Sequence, residues 1–219
     1  MLYELTAFAL SGDAAAGVRN GADVLLKSLF LSLGGRHGLL AFNVLLIGAG
    51  AVIVWRDRRA SRAPLEGSVF LRMGVESIVG GLVFGLIAGA LTALLLRGPS
   101  FLATGPMDGL DLQTQLVISL GAGIYEELLF RVLVVGFLAW IATRLFGWRP
   151  MPAGIFAAIL GALIFSAFHY IGPYGDPLEL PSFTFRAVAG VLFSAMYLTR
   201  GLGITAWTHA LYDVFLTLM

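Results

Sequence analysis

Long apolar runs separated by glycine, proline or arginine joints make up most of this chain. Leu39 to Trp55 is the first run long enough to cross a bilayer, for which about 17–25 apolar residues suffice. A second runs from about Val69 to Leu96 and is rich in glycine, which lets neighbouring helices approach closely. The third starts near Leu112 and continues to Phe146; at 1.5 Å per residue that is about 50 Å of helix against a hydrocarbon core of about 30 Å. It must tilt, kink near Gly121 and Gly123, or divide. Ala153–Ile171, Phe183–Leu198 and Ile204–Met219 supply three more runs.

Ahead of these runs, Ala22–Leu33 repeats Val24, Leu25, Leu29 and Phe30 at helical spacing beside Asp23, Lys27 and Ser28. It is too short to span, so the pattern predicts an interfacial amphipathic helix ended by Gly34 and Gly35. The joints read as loops: Arg56 to Arg62, then 97–111 with Asp108 and Asp111, the Pro150/Pro152 stop, the turn Gly172-Pro173-Tyr174-Gly175-Asp176-Pro177, and Arg200-Gly201. The expected fold is all-α, a polytopic transmembrane bundle of about six spans plus an N-terminal interfacial helix. Residues 1–38 form the amphipathic segment and 39–219 the bundle, with a catalytic core at about 112–219.

Composition agrees. Of 219 residues, 58% are hydrophobic and 12% charged, against about 25% charged in soluble domains. The chain is an integral membrane protein. A formal net charge of +1 gives no basic surface for nucleic acid, and the lack of cysteine excludes disulfides and thiolate chemistry. Met1 to Gly17 carries Glu4 and Asp13 ahead of any lysine or arginine, so no cleavable signal is expected there. With six alternating spans, Arg56–Arg62, Arg144–Arg149 and Arg200 fall on one side. By the positive-inside rule that side is cytoplasmic and the N-terminus outside, fitting a bacterial inner membrane.

Against this background the polar residues inside spans stand out. In Gly121-Ala122-Gly123-Ile124-Tyr125-Glu126-Glu127-Leu128-Leu129-Phe130-Arg131, three charges together would cost roughly 8–10 kcal/mol at mid-membrane if left alone. Such groups persist when they face other helices or a wet cavity, pair, and serve function. Glu127 and Arg131 are i, i+4 neighbours in the favourable order, whereas Glu126 points about 100° away. One carboxylate is then held by arginine and the other is free. His169 ends an apolar helix, where a lone histidine most often caps or bonds backbone. His209 and Asp213 are again i, i+4, the geometry of a carboxylate-oriented imidazole or of two metal ligands on one helix. A free glutamate and neutral histidines in a shielded cavity can hold and deprotonate a water, and the remaining polar groups can stabilise an oxyanion. Amide hydrolysis uses all of these parts.

With these residues in view, the chain resembles the type II CAAX prenyl endopeptidase and bacteriocin-processing (CPBP, abortive-infection-like) intramembrane proteases. Glu126-Glu127-Leu128-Leu129-Phe130-Arg131 is similar to the family's Glu-Glu-x-x-x-Arg signature, Phe165-Ser166-Ala167-Phe168-His169 to its Phe-x-x-x-His, and His209-Ala210-Leu211-Tyr212-Asp213 to its His-x-x-x-Asn/Asp. The resemblance covers about Leu116 to the C-terminus. It implies an endopeptidase in which Glu126 activates water with help from His169, His209 and Asp213 stabilise the oxyanion, and Glu127 and Arg131 support the constellation. Its substrate would be a peptide or lipidated protein in the bilayer. A metal-free mechanism is favoured; zinc held by Glu126, His169 and His209 is the alternative. The competing functions are a proton-coupled transporter, against which the lack of internal repeats counts, and a non-catalytic membrane scaffold or immunity protein.

Overall fold

The computed structural model describes residues 3, 4, 6, 7, 19–61, 64, 66–99, 110–172 and 175–219. Arg62 of the arginine joint, Asp108 with most of the 97–111 loop, Pro173 and Tyr174 of the turn, and most of the first 18 positions lie outside the described residues. Among those described the chain is helical, with no strand. Helix α1 spans Gly21–Ser61, α2 Gly67–Leu96 and α3 Leu112–Gly121. Two π-helical segments follow, π1 (Ala122–Glu126) and π2 (Leu128–Val135), then α4 (Gly136–Arg144), α5 (Pro150–Phe168) and α6 (Leu180–Leu218).

The expected all-α membrane bundle is the fold that forms. Four of these helices, α1, α2, α5 and α6, are long and apolar enough to cross a membrane. Their outer faces carry Leu40, Ile47, Leu86 and Leu94 at 62–73% exposure, a surface suited to lipid rather than water. Six runs read from the sequence thus become four such helices for two reasons. The Leu112–Phe146 run is divided by its π turns, and the last two runs join into α6.

That join is not a continuation. Gly201 has φ 79° and ψ 174°, a backbone region essentially restricted to glycine. The packing shows the chain reversing there. Along α2, Glu76 meets Arg200, Gly80 meets Thr208, and Gly81 meets Leu211 and Tyr212, in ascending order. Beyond this, Phe84 stacks on Phe193 with ring centroids 4.0 Å apart, and Leu91 and Leu95 share an apolar groove with Val188 and Thr184, in descending order. The two arms of α6 therefore run antiparallel to each other along one face of α2. Phe193 and His209, eight residues either side of Gly201, stack at 4.4 Å. A core of Phe84, Ala88, Phe185, Ala189, Phe193 and Tyr212 fills the junction of α2 with both arms.

The other end of the bundle is closed by the N-terminal part of the chain. Within α1 the backbone leaves helical geometry at Gly34 and Gly35, where the sequence ends its amphipathic run. The bend is tight: a Cβ on Gly38 would lie 1.8 Å from the Phe30 carbonyl oxygen. Val24, Leu25 and Leu29 face outward, while Ala22, Asp23 and Leu26 are buried. Ala22 and Leu26 join Tyr3, Ala7, Phe42, Val117 and Tyr125 in a second core against α3 and π1.

Candidate active site

The sequence places two adjacent glutamates where the helix changes its winding. Asp111 caps α3, accepting the Thr114 backbone N–H at 3.0 Å, and the run then passes into π1 at Ala122. Gly123 allows this segment to sit directly against the second arm of α6; a Cβ there would be 2.3 Å from the Ala206 carbonyl oxygen. π turns accommodate an extra residue in the hydrogen-bonded ring and occur often at functional sites. Glu126 ends π1 and Glu127 caps π2, so each carboxylate enters a different interhelical space.

Glu127 is fully buried and faces α6. Its Oε1 lies 2.7 Å from Nδ1 of His209, which donates to it, and its Oε2 forms an ion pair with Arg131 Nε at 3.0 Å. The Arg131 guanidinium lies between two aromatic faces, 4.5 Å from the Phe165 ring and 5.3 Å from that of Phe193. Such cation–π contacts partly replace the water that a buried arginine gives up. Beyond Glu127, the second nitrogen of His209, Nε2, is 3.6 Å from Asp213 Oδ2.

Glu126 faces the other way. Its Oε1 accepts a hydrogen bond from Asn20 Nδ2 at 2.8 Å, and its Oε2, which has no hydrogen-bond partner among the described residues, points to His169 Nε2 at 3.8 Å. His169 caps the C-terminus of α5, and its Nδ1 is 2.9 Å from the Phe165 carbonyl oxygen. A carbonyl oxygen only accepts, so Nδ1 carries a hydrogen, and in the neutral form of the ring Nε2 turns its lone pair toward Glu126. Two further contacts fix the end of α5: Ser166 Oγ donates to the Phe183 carbonyl at 2.7 Å, and the Asp176 backbone N–H donates to the His169 carbonyl at 3.0 Å.

All six residues singled out from the sequence therefore meet in one place. The glutamate pair bridges His169 and His209, one carboxylate to each. The Glu126 carboxylate is not wholly free, because Asn20 holds one of its oxygens. Exposure divides the group. Glu127 and Arg131 are sealed, whereas the side chains of His169 and Asp213 retain 25% and 20% exposure and Glu126 8%, so access to the group is on the side of Glu126, His169 and Asp213 rather than of the ion pair. Sequence reasoning missed Asn20, which lies 106 positions from its partner. It also missed Phe193, and it had Phe165 only as the start of the Phe-x-x-x-His motif, not as a partner of Arg131.

A zinc held by Glu126, His169 and His209 would draw on the donor atoms these contacts leave over. A catalytic zinc needs three protein ligands converging on one point. His209 Nδ1 is held by Glu127 and Glu126 Oε1 by Asn20, which leaves His209 Nε2, Glu126 Oε2 and His169 Nε2; the three side chains are not drawn together as a metal-holding group among the described residues.

The family model for type II CAAX prenyl endopeptidase Rce1-like proteins matches residues 109–215, a segment that includes every one of the six residues and excludes Asn20. No curated protein and no solved structure matches the chain. Residues 109–215 are thus a type II CAAX prenyl endopeptidase Rce1-like segment, and that family likeness supports a membrane-embedded protease.

Proposed function

We propose that the protein hydrolyses a peptide bond of a membrane-associated or lipidated substrate with a water activated by Glu126. The observation that carries this reading is the 3.8 Å gap between Glu126 Oε2 and His169 Nε2. Both atoms are acceptors in the resting state, so they cannot satisfy each other. A water between them donates one hydrogen to each, and its oxygen lone pair is then directed away from both.

In the reaction this oxygen attacks the scissile carbonyl carbon while Glu126 takes its proton. The carbonyl oxygen becomes an oxyanion, which needs donors on the opposite side. His209, when both nitrogens are protonated, keeps Nδ1–H on Glu127 and offers Nε2–H; Asp213, when protonated, offers a second donor. Glu126 then delivers its proton to the leaving amine as the C–N bond breaks. Glu127 and Arg131 hold His209 in place and touch no substrate in this scheme. The chemistry needs no metal.

Substrates for the test are peptides anchored by a prenyl or acyl chain in proteoliposomes containing the purified protein. A single turnover in water enriched in ¹⁸O separates the chemistry. Activated water puts one ¹⁸O into the new carboxylate of the first product, whereas direct attack by a glutamate leaves the first product with oxygen from the enzyme.

A further inference from the structure

Everything assigned to the chemistry so far lies beyond residue 109, yet the carboxylate read as the base is held by the first helix. We propose that Asn20 is a positioning residue for Glu126, so that the N-terminal segment completes the site rather than merely packing against it. The proposal rests on the reading of Glu126 as the base.

Asn20 is 4% exposed and both ends of its amide are spoken for. Its Oδ1 accepts the Ala22 backbone N–H at 2.9 Å, which makes it the N-cap of α1. A backbone N–H only donates, so this bond fixes which end of the amide is oxygen and leaves Nδ2 as the atom 2.8 Å from Glu126 Oε1. The cap locks the amide, and the amide locks one carboxylate oxygen. The other oxygen, Oε2, is then aimed at His169.

The segment carrying Asn20 is itself pinned on both sides. Asp23, fully buried, accepts the Tyr3 hydroxyl at 2.8 Å and Arg19 at 3.1 Å and forms an ion pair with Lys27 at 2.6 Å. Arg19 and Lys27 also pair with Glu4, at 3.2 and 2.8 Å. Glu4 in turn accepts the hydroxyl of Tyr125, the residue immediately before Glu126. The approach is close: a Cβ on Gly121 would lie 2.8 Å from Asn20 Cβ and 2.6 Å from the Tyr3 ring. The cluster therefore clamps the Asn20 turn onto π1 and holds the residue next to the base.

A helix cap and a positioning residue are distinguished by their rank orders. As caps, Asn, Asp and Ser are nearly equal and Ala is worse. As donors to Glu126 they differ: Ser caps but cannot reach, and Asp caps but presents a second carboxylate. The experiment measures kcat, KM and melting temperature for wild type, Asn20→Ser, Asn20→Asp and Asn20→Ala in proteoliposomes, with Glu126→Gln alongside. We expect Asn20→Ser to keep its melting temperature and KM and to lose about 10–100-fold in kcat, the weight of a hydrogen bond to a charged group. Asn20→Asp should lose more. If Asn20→Asp does not fold, Asn20→Ser alone decides. Wild-type kcat in Asn20→Ser, or activity that follows melting temperature across the series, overturns the proposal. An active Glu126→Gln protein shows instead that the underlying base assignment has failed; an inactive one beside an unimpaired Asn20→Ser confines the failure to this inference.

Discussion

Glu127 and His209, 82 residues apart in sequence, lie 2.7 Å apart, oxygen to nitrogen, and Glu127 reaches Arg131 with its other oxygen. A single buried carboxylate thus joins the π segment to the second arm of α6. Breaking a buried pair by removing one partner typically costs about 3–5 kcal/mol, because it leaves a charge without compensation.

Arg131→Ala is therefore expected to lower both the melting temperature and the activity. Arg131→Lys, which restores the charge but not the planar stacking between Phe165 and Phe193, should fall between. Thermal unfolding in detergent checks this, and an active Arg131→Ala protein with unchanged melting temperature contradicts it.

Gly201 makes a separate prediction. Its φ and ψ are open essentially to glycine alone, and a side-chain-bearing residue forced there costs on the order of 1–3 kcal/mol. Gly201→Ala should destabilise the α6 reversal by about that amount and reduce activity, since His209 lies only two turns beyond. No Cβ contact arises at this position, so the loss would be backbone strain and not a clash. A Gly201→Ala protein as stable as wild type would show that the reversal has another backbone solution.

How far the sequence foretold this depends on the range of the interaction. The class of fold followed from apolar run lengths, and the Glu127–Arg131 and His209–Asp213 pairs from i, i+4 spacing, because both are local. The bend at Gly34 and Gly35 was legible for the same reason. The π segments were not, since local spacing carries no signal for a one-residue change of hydrogen-bond register. Nor was the joining of the last two runs into α6, because a glycine ends a helix as readily as it reverses one. Asn20 escaped notice because a polar residue before a helix is an ordinary cap; only its contact 106 positions away gives it a second role.

The oxyanion role assigned to position 213 predicts an uneven pair of variants. Asp donates a hydrogen bond only when protonated, whereas Asn keeps the shape and donates at every pH. Asp213→Asn should keep substantial activity and extend it to higher pH, while Asp213→Ala should lose about 10²–10³-fold, as when an oxyanion donor is removed. The pH–rate profiles of the three proteins check this. If Asp213→Asn is as inactive as Asp213→Ala, the carboxylate itself is required, for instance to orient His209.

Metal dependence is open to a direct measurement. The metal-free scheme predicts far less than one zinc per chain in purified active protein and a rate unchanged by strong chelators. Stoichiometric metal whose removal and return switch activity off and on would contradict that scheme and require Glu126, His169 and His209 to rearrange.

The central claim is that Glu126 is the base, and its most direct test is hydrolysis by Glu126→Gln. Gln has nearly the same shape and keeps an oxygen for Asn20 but cannot take a proton from water. Purified, monodisperse Glu126→Gln protein with a wild-type melting temperature is predicted to leave a lipid-anchored peptide uncleaved under conditions where the wild type turns it over. Full hydrolysis by that protein would contradict the account.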